Sequence, residues 1–231
     1  MPYYAVANCK NKSSEANMKK GNISYDQIQA HMPKLSKEHY RVYLCNIFEV
    51  NETIVFLYYK YLILLCEYIK IHDYNNGIVN ILDFRNANIF NVLTAVNPLA
   101  LKNFFVLTLE CYGLRVKRID IISESKMVDS LVSLIKSVIS AKIAQRIHTH
   151  KSIDTVHEAV GKDIMPEDYG GKEPTLKKIN DKWLDTIFSK ENIKIFNEMK
   201  EAKTDESRRQ CAKFNEEYLG VAGSFRKLTL D

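Results

Sequence analysis

The sequence has no Cys-x-x-Cys pair, and its 5 cysteines (Cys9, Cys45, Cys66, Cys111 and Cys211) are an odd, scattered set. That argues against a disulfide framework and against a cysteine zinc site, and it favours a reducing, cytoplasmic setting. The first residues are polar and carry Lys10, Lys12, Lys19 and Lys20, so an apolar signal segment is not expected there. The longest apolar run, Ile54 to Cys66, is interrupted by Lys60. It falls short of the ~20 residues that cross a bilayer and reads as a buried helix, so any membrane contact is expected to be peripheral. The net charge of +5 over 231 residues lacks the dense basic field of a nucleic-acid binder. No Gly-x-Ser-x-Gly elbow, Walker loop or Gly-x-Gly-x-x-Gly is present, which leaves hydrolase and nucleotide chemistry without their usual apparatus. Internal repeats and low-complexity tracts are absent too.

What remains is 46% hydrophobic and 26% charged, the balance of one large globular domain with appendages. Residues 1–32 read as a polar extension with little core. Tyr40 to Cys45 alternates as a strand, and Thr53 to His72 has the apolar body of a buried helix. Asn75-Asn76-Gly77 marks a turn. Ile78 to Phe84 is a short, nearly continuous apolar strand, as expected when both faces are covered. Residues 86–96 read as a loop with a helical turn, and Pro98 opens a helix to Cys111. Arg115 to Ile122 is a second central strand. Two strands joined by a helix of this length predict a parallel βαβ unit.

A strongly amphipathic helix is expected from about Met127 to Lys142. Its apolar stripe runs through Val128, Leu131, Leu134, Ile135, Val138 and Ile139, and its polar face is mostly serine. Such a stripe ordinarily packs on a core. Placed after a central strand and with few charged anchors, it also suits a movable cover over an apolar cavity. Further on, Arg146 to Thr149 is a short strand, Ile153 to Val160 a short helix, Tyr169-Gly170-Gly171 a turn that glycine supplies with positive φ, and Leu176 to Phe188 a helix with the single Trp183.

Arg115 and Lys117 lie two apart on a strand and share a face. Lys142 and Arg146 lie four apart and share a helix face if the helix persists that far. Brought together, the two pairs could clamp a phosphorylated headgroup, with arginine forking onto its oxygens. Apart, they are solvated charges on a lysine-rich protein. His148 and His150 alternate on a strand, but without a clear third ligand no metal site is expected. Asp83 ends a central strand, where an aspartate serves as a cap or turn residue more often than as a catalytic acid. An enzyme using Asp83 and His148 would need them to converge in a cleft.

The stretches Gly77 to Asp83, Tyr112 to Ile119, Arg146 to His150 and Met165 to Gly171 together resemble the CRAL-TRIO (Sec14-like) lipid-binding family, and within it the tocopherol- and retinaldehyde-carrying branch. The ending Gly223 to Leu228 with a terminal Asp231 is similar to the tail of arthropod members. The resemblance implies an α/β fold, a mixed central sheet with flanking helices and a lid helix over an apolar cavity. It places that domain at 33–190, between an extension at 1–32 that stands for a shortened helical domain and a C-terminal extension at 191–231. It implies a monomeric, non-enzymatic carrier without cofactor. Such a carrier moves a tocopherol-, retinoid- or carotenoid-like lipid between membranes and reads phosphoinositides with Arg115, Lys117, Lys142 and Arg146. By the same resemblance Ile78, Leu82, Phe104, Thr108, Tyr112, Leu114 and Ile119 fall on the lipid pocket, and the apolar stripe is the lid. Three departures stand out: Gly113 where proline is common, Ser123-Glu124-Ser125 in place of Asn-x-Pro, and Ser137 in place of a lid proline. The shortened N-terminal domain and the altered lid entry favour the alternative of an interaction or membrane-adaptor module that keeps the fold and has lost its cargo.

Overall fold

The computed structural model describes residues 27–201. A five-stranded sheet runs in the order β1 to β5: β1 Gln27–His31, β2 Arg41–Ile47, β3 Ile78–Asp83, β4 Val116–Ile122 and β5 Ile147–His150. β1 pairs antiparallel with β2, and every later pair is parallel. Parallel neighbours need crossovers, and crossovers are right-handed. Here each one steps the same way across the sheet, so all three connections fall on one face. They are α1 (Glu52–His72), then α2 (Ile89–Ala95) with α3 (Pro98–Phe105), then α4 (Val128–Val138) with α5 (Ala141–Ala144). The other face is left to the chain after β5, namely α6 (Asp154–Val160) and α7 (Leu176–Ile187), followed by α8 (Lys190–Glu201).

Two cores result. Tyr43, Cys45, Ile78, Ile119 and Ile121 face the crossover helices. Their strand neighbours Val42, Leu44, Val79, Ile81 and Ile122 face α6 and α7, where Val156, Met165 and Leu176 meet them. This is the period-two alternation of strands covered on both sides.

Local signals place the helices. Asn51, Asn88 and Asn97 cap α1, α2 and α3 through their side-chain oxygens, and Pro98 sits in the first turn of α3. The Asn75–Gly77 turn is closed by Asn75, which accepts from the Gly77 amide at 2.9 Å. Gly77 has φ +140, and a Cβ there would lie 2.4 Å from the Arg115 carbonyl oxygen. Only glycine lets β3 begin that close to β4. The later turn uses Gly170 at φ 74.

The elements differ from expectation in four places. β1 lies inside the stretch read as a polar extension. Ala30 and Met32 are fully buried there, and the strand was hidden because its alternate positions are Gln29 and His31. Within residues 86–96 the expected loop with a helical turn holds a longer element, the capped helix α2 at Ile89–Ala95. The helix from Pro98 keeps α geometry only to Phe105 and then widens into a π-helical stretch, Val106–Cys111. The single helix expected to Lys142 ends at Val138. Ile139 is extended (φ −119, ψ 163) and α5 restarts after Ser140. Two adjacent β-branched residues followed by serine are poor helix interior and a good boundary.

Candidate functional site

The crossover helices do not close down on the sheet. A cavity of about 180 Å³ lies between them. Its floor is the sheet, with Ile78, Leu82 and Ile119 on the same face of β3 and β4. α1 forms one wall with Tyr58, Tyr59, Leu62 and Leu65. α3 and its π-helical continuation form another with Leu101, Phe104, Phe105 and Thr108. Tyr59 and Phe104 stack across the junction of the two walls, ring centres 4.7 Å apart. Thr108 spends its hydroxyl on the Phe104 carbonyl at 2.9 Å, so it faces the cavity as a methyl. π-helical insertions recur at functional sites because they turn side chains out of the α register.

Of the residues assigned to a lipid pocket, Ile78, Leu82, Phe104, Thr108, Leu114 and Ile119 line this one cavity. Tyr112 does not. Its ring packs with Ile63, Cys66 and Leu107 in a separate cluster, and its hydroxyl donates to the Glu67 carboxylate. Burial holds that carboxyl above its usual range, against the hydrogen bond from Tyr112. A buried phenol usually finds a polar partner, and for Tyr112 the Glu67 carboxylate of α1 supplies it.

The cover is α4. Leu131, Leu134 and Ile135 reach the cavity, whereas Val128, Val138 and Ile139 pack on the surrounding core. Ser133 and Ser137 donate to carbonyls of their own helix at 2.7 Å. Among the described residues no ion pair latches α4 to the rest of the protein.

Three of the four cations, Arg115, Lys117 and Arg146, lie at the N-terminal end of β4. Arg115 and Lys117 are exposed on either side of Val116, and the Arg146 guanidinium donates to the Val116 carbonyl. Lys117 also pairs with Glu38 at 3.2 Å and sits 5.2 Å from the centre of the Tyr40 ring. Lys142 is exposed on α5. α5 ends at Ala144, so the helix does not persist to Arg146 and the condition under which Lys142 and Arg146 would share a helix face is not met. Arg146 lies beyond the end of α5 and is tied to β4 instead.

Asp83 and His148 do not converge. Asp83 is fully buried on the far face of the sheet, where it accepts from Arg85 at 2.7 Å and from the Tyr169 hydroxyl at 2.8 Å. His148 is exposed two strands away, ~10 Å by strand spacing alone. His150 is taken up by Asp120 and Thr155, each at 2.7 Å. Among the described residues no group of three metal-ligating side chains comes together, and no helix is long and apolar enough to cross a membrane by itself.

A sheet with all crossovers on one side, a hollow beneath them and an unlatched amphipathic cover make a distinctive arrangement. Residues 17–171 match the family profile of the CRAL/TRIO domain. The chain belongs to the CRAL-TRIO family. The chain is also similar to alpha-tocopherol transfer protein-like of Mus musculus, 26% identical over 97 residues, which is 42% of this chain and 28% of that protein. The corresponding human protein is 25% identical over the same shares. The matched stretch thus spans little more than a quarter of these relatives. Among solved structures, that of Sfh5 covers 75% of this chain and 66% of its own, with 12% identity and a TM-score of 0.46. CRAL-TRIO proteins typically bind hydrophobic lipids and transfer them, and are not typically enzymes.

Sequence reasoning did not find His31, Tyr43 and Asn80 on the cavity wall. They share one row across the sheet, since His31 pairs with Tyr43, Tyr43 with Asn80 and Asn80 with Ile119. The signal was available for Asn80, the one polar residue between Ile78 and Leu82 on the inward alternation of β3. His31 had none until β1 was known to be a strand.

Proposed function

We propose that this chain binds a small hydrophobic lipid, of tocopherol, retinoid or carotenoid type, and delivers it to membranes that carry phosphoinositides. The observation that supports this reading best is the apolar cavity under α4, lined by residues from the sheet, α1, α3 and the cover. An apolar molecule there would be stabilised by roughly 25 cal/mol for each Å² removed from water.

The cover can exchange its contacts cheaply. Leu131, Leu134 and Ile135 are held by apolar packing alone, and lipid tails offer the same packing. Phe90 on α2 and Leu99 on α3, helices that pack on α4, and Met127 just before α4 are exposed apolar side chains that would enter the interface with it. Arg115, Lys117, Lys142 and Arg146 would meet the headgroup phosphates at that moment, releasing Glu38 from Lys117. Arg146 has a second duty, since it also braces β4 through Val116. The clean variant is therefore R115A/K117A/K142A. It is expected to slow transfer to phosphoinositide vesicles about tenfold while leaving ligand binding and transfer to neutral vesicles unchanged. Equal rates on both vesicles, with and without the substitutions, would refute headgroup recognition. Protein purified from its native tissue and free of any extractable lipid would favour the non-transferring adaptor instead.

A further inference from the structure

The turn after α1 is tightly built, yet the side chain at its tip is left in water. Tyr74 is 96% exposed, more than any other large hydrophobic side chain among the described residues. Its backbone is not loose. Arg41 forks onto the Asp73 carboxylate at 2.7 and 2.8 Å. Asn75 donates to Asp73 at 3.0 Å and accepts from the Gly77 amide at 2.9 Å. Asn76 ties the turn to the neighbouring loop. Its amide donates to the His39 carbonyl at 2.9 Å and its side chain to the Glu38 carbonyl at 2.8 Å. A turn braced on both sides of its tip holds the tyrosine out with little freedom left to lose on binding.

The tip stands beside cations assigned above to headgroups. Gly77 abuts the Arg115 backbone, and Tyr74 lies only three residues before it, ~11 Å of chain at full stretch. The β3–β4 register skips Lys117, since Ile78 opposes Val116 and Val79 opposes Arg118. Lys117 is thereby turned out of the ladder, toward Glu38 and Tyr40 of the loop to which Asn76 is tied. α1 ends in the same turn with Lys70 and Ile71, both exposed.

Resting on the headgroup reading above, we propose that this turn is an interfacial anchor: Tyr74 enters the headgroup layer of an anionic membrane beside the phosphates met by Arg115 and Lys117. A tyrosine is apolar in its ring and polar at its tip, which suits the boundary between acyl chains and water. The ring stands clear of its own protein, so only a surface that yields around it can cover it. A bilayer does so, whereas a folded partner would have to offer a socket of matching shape. The cations around the tip match the negative field of anionic lipid. Asp73, the carboxylate next to the tyrosine in the chain, is already paired with Arg41 inside the turn.

The test uses the full chain and vesicles of phosphatidylcholine with phosphatidylinositol bisphosphate, made with plain or with brominated acyl chains. Sedimentation reads binding, and tryptophan emission reads depth. Tyr74→Trp places an indole at the tip, and wild type, whose single tryptophan is Trp183, supplies the background. On binding, the emission added by Tyr74→Trp is expected to shift to the blue and to fall about twofold on the brominated vesicles. Tyr74→Ser removes a ring that packs on nothing. It is expected to fold as wild type does and to bind the vesicles about fivefold more weakly. If Tyr74→Trp sediments with the vesicles but its added emission neither shifts nor is quenched, the anchor is overturned and headgroup recognition stands. If Tyr74→Ser binds as tightly as wild type, the anchor is likewise overturned, and the ring is left to a protein partner. If wild type itself does not sediment with these vesicles, the headgroup reading falls and the anchor with it.

Discussion

The two faces of the central sheet are built from the same strands and come out opposite. On the face under α6 and α7, Leu44, Ile81, Ile122, Met165 and Leu176 are almost wholly buried, and the buried carboxylates are partnered. Asp83 takes Arg85 and Tyr169, and Asp120 takes Arg118 and His150. On the face under α1 to α4 there is a void, and the Asn80 amide on its wall has no partner among the described residues. A sequence able to fill one face tightly leaves the other open, so the hollow is a built feature and not a general looseness of packing. The difference follows from connectivity. Three crossovers must span the sheet on one side, and helices of unequal length arch over it. The other face is covered by a segment that follows the last strand and is free to settle.

Neighbouring residues of β3 give the sharpest way to break this comparison. Ile81 points into the packed face and is fully buried, whereas Leu82 lines the cavity and is half-buried. Ile81→Ala is expected to cost about 3–4 kcal/mol, roughly 10 °C in melting temperature. Leu82→Ala should cost only about 1 kcal/mol, because its neighbours on the cavity side are already missing. Thermal melts of both variants without ligand would decide. Equal losses would mean that the cavity is filled in solution.

How much of this was legible beforehand depends on the face. The packed side announces itself through Ile78 to Phe84 and Arg115 to Ile122, whose apolar runs predict strands covered twice, and through the spacing of Leu176 and Ile179. The hollow side was legible only in its apolar members. Its polar floor was missed because polarity in β1 is the very thing that disguises a strand: Gln29 and His31 stand where the pattern expects Val or Ile. The break at Ile139 was missed for a different reason. The apolar stripe keeps its helical period across the break, so periodicity cannot report it, and only the Val138-Ile139-Ser140 chemistry does.

Acid probes the hollow face next. An unfolded histidine takes a proton near pH 6.5, but folded His31, with Arg41 opposing and Asp73 only partly compensating, refuses it until about 3. Below pH 6.5 the unfolded chain therefore binds a proton that the folded chain does not. Stability falls as pH falls, by about 2 kcal/mol between pH 7 and pH 5 from this residue. Melting temperatures across that range should drop less steeply in His31→Phe than in wild type. Parallel profiles would show that the His31 site is wet.

The packed face has its own polar probe in Tyr169. Removing the hydroxyl in Tyr169→Phe takes one donor from the Asp83 carboxylate, which keeps Arg85 through Nε at 2.9 Å and through the Arg85 backbone amide at 3.1 Å. The expected loss is about 1–2 kcal/mol, measured by urea unfolding. No loss would mean that Arg85 alone satisfies the carboxylate.

The smallest effect carries the opposite sign. Asn80 sits on the cavity wall between Ile78 and Leu82 and faces no protein partner among the described residues. Leucine at that place removes an amide from an apolar surface and adds branched carbon to a chamber with room for it. On the packed face any added polarity or lost volume costs stability. Here a polar-to-apolar change is expected to raise it, by up to about 1 kcal/mol, with a melting temperature a few degrees higher. A gain in stability is the signature of a residue retained at the expense of the fold. A destabilised Asn80→Leu would instead mean that the amide is bonded within the protein and that the floor of the cavity belongs to the scaffold.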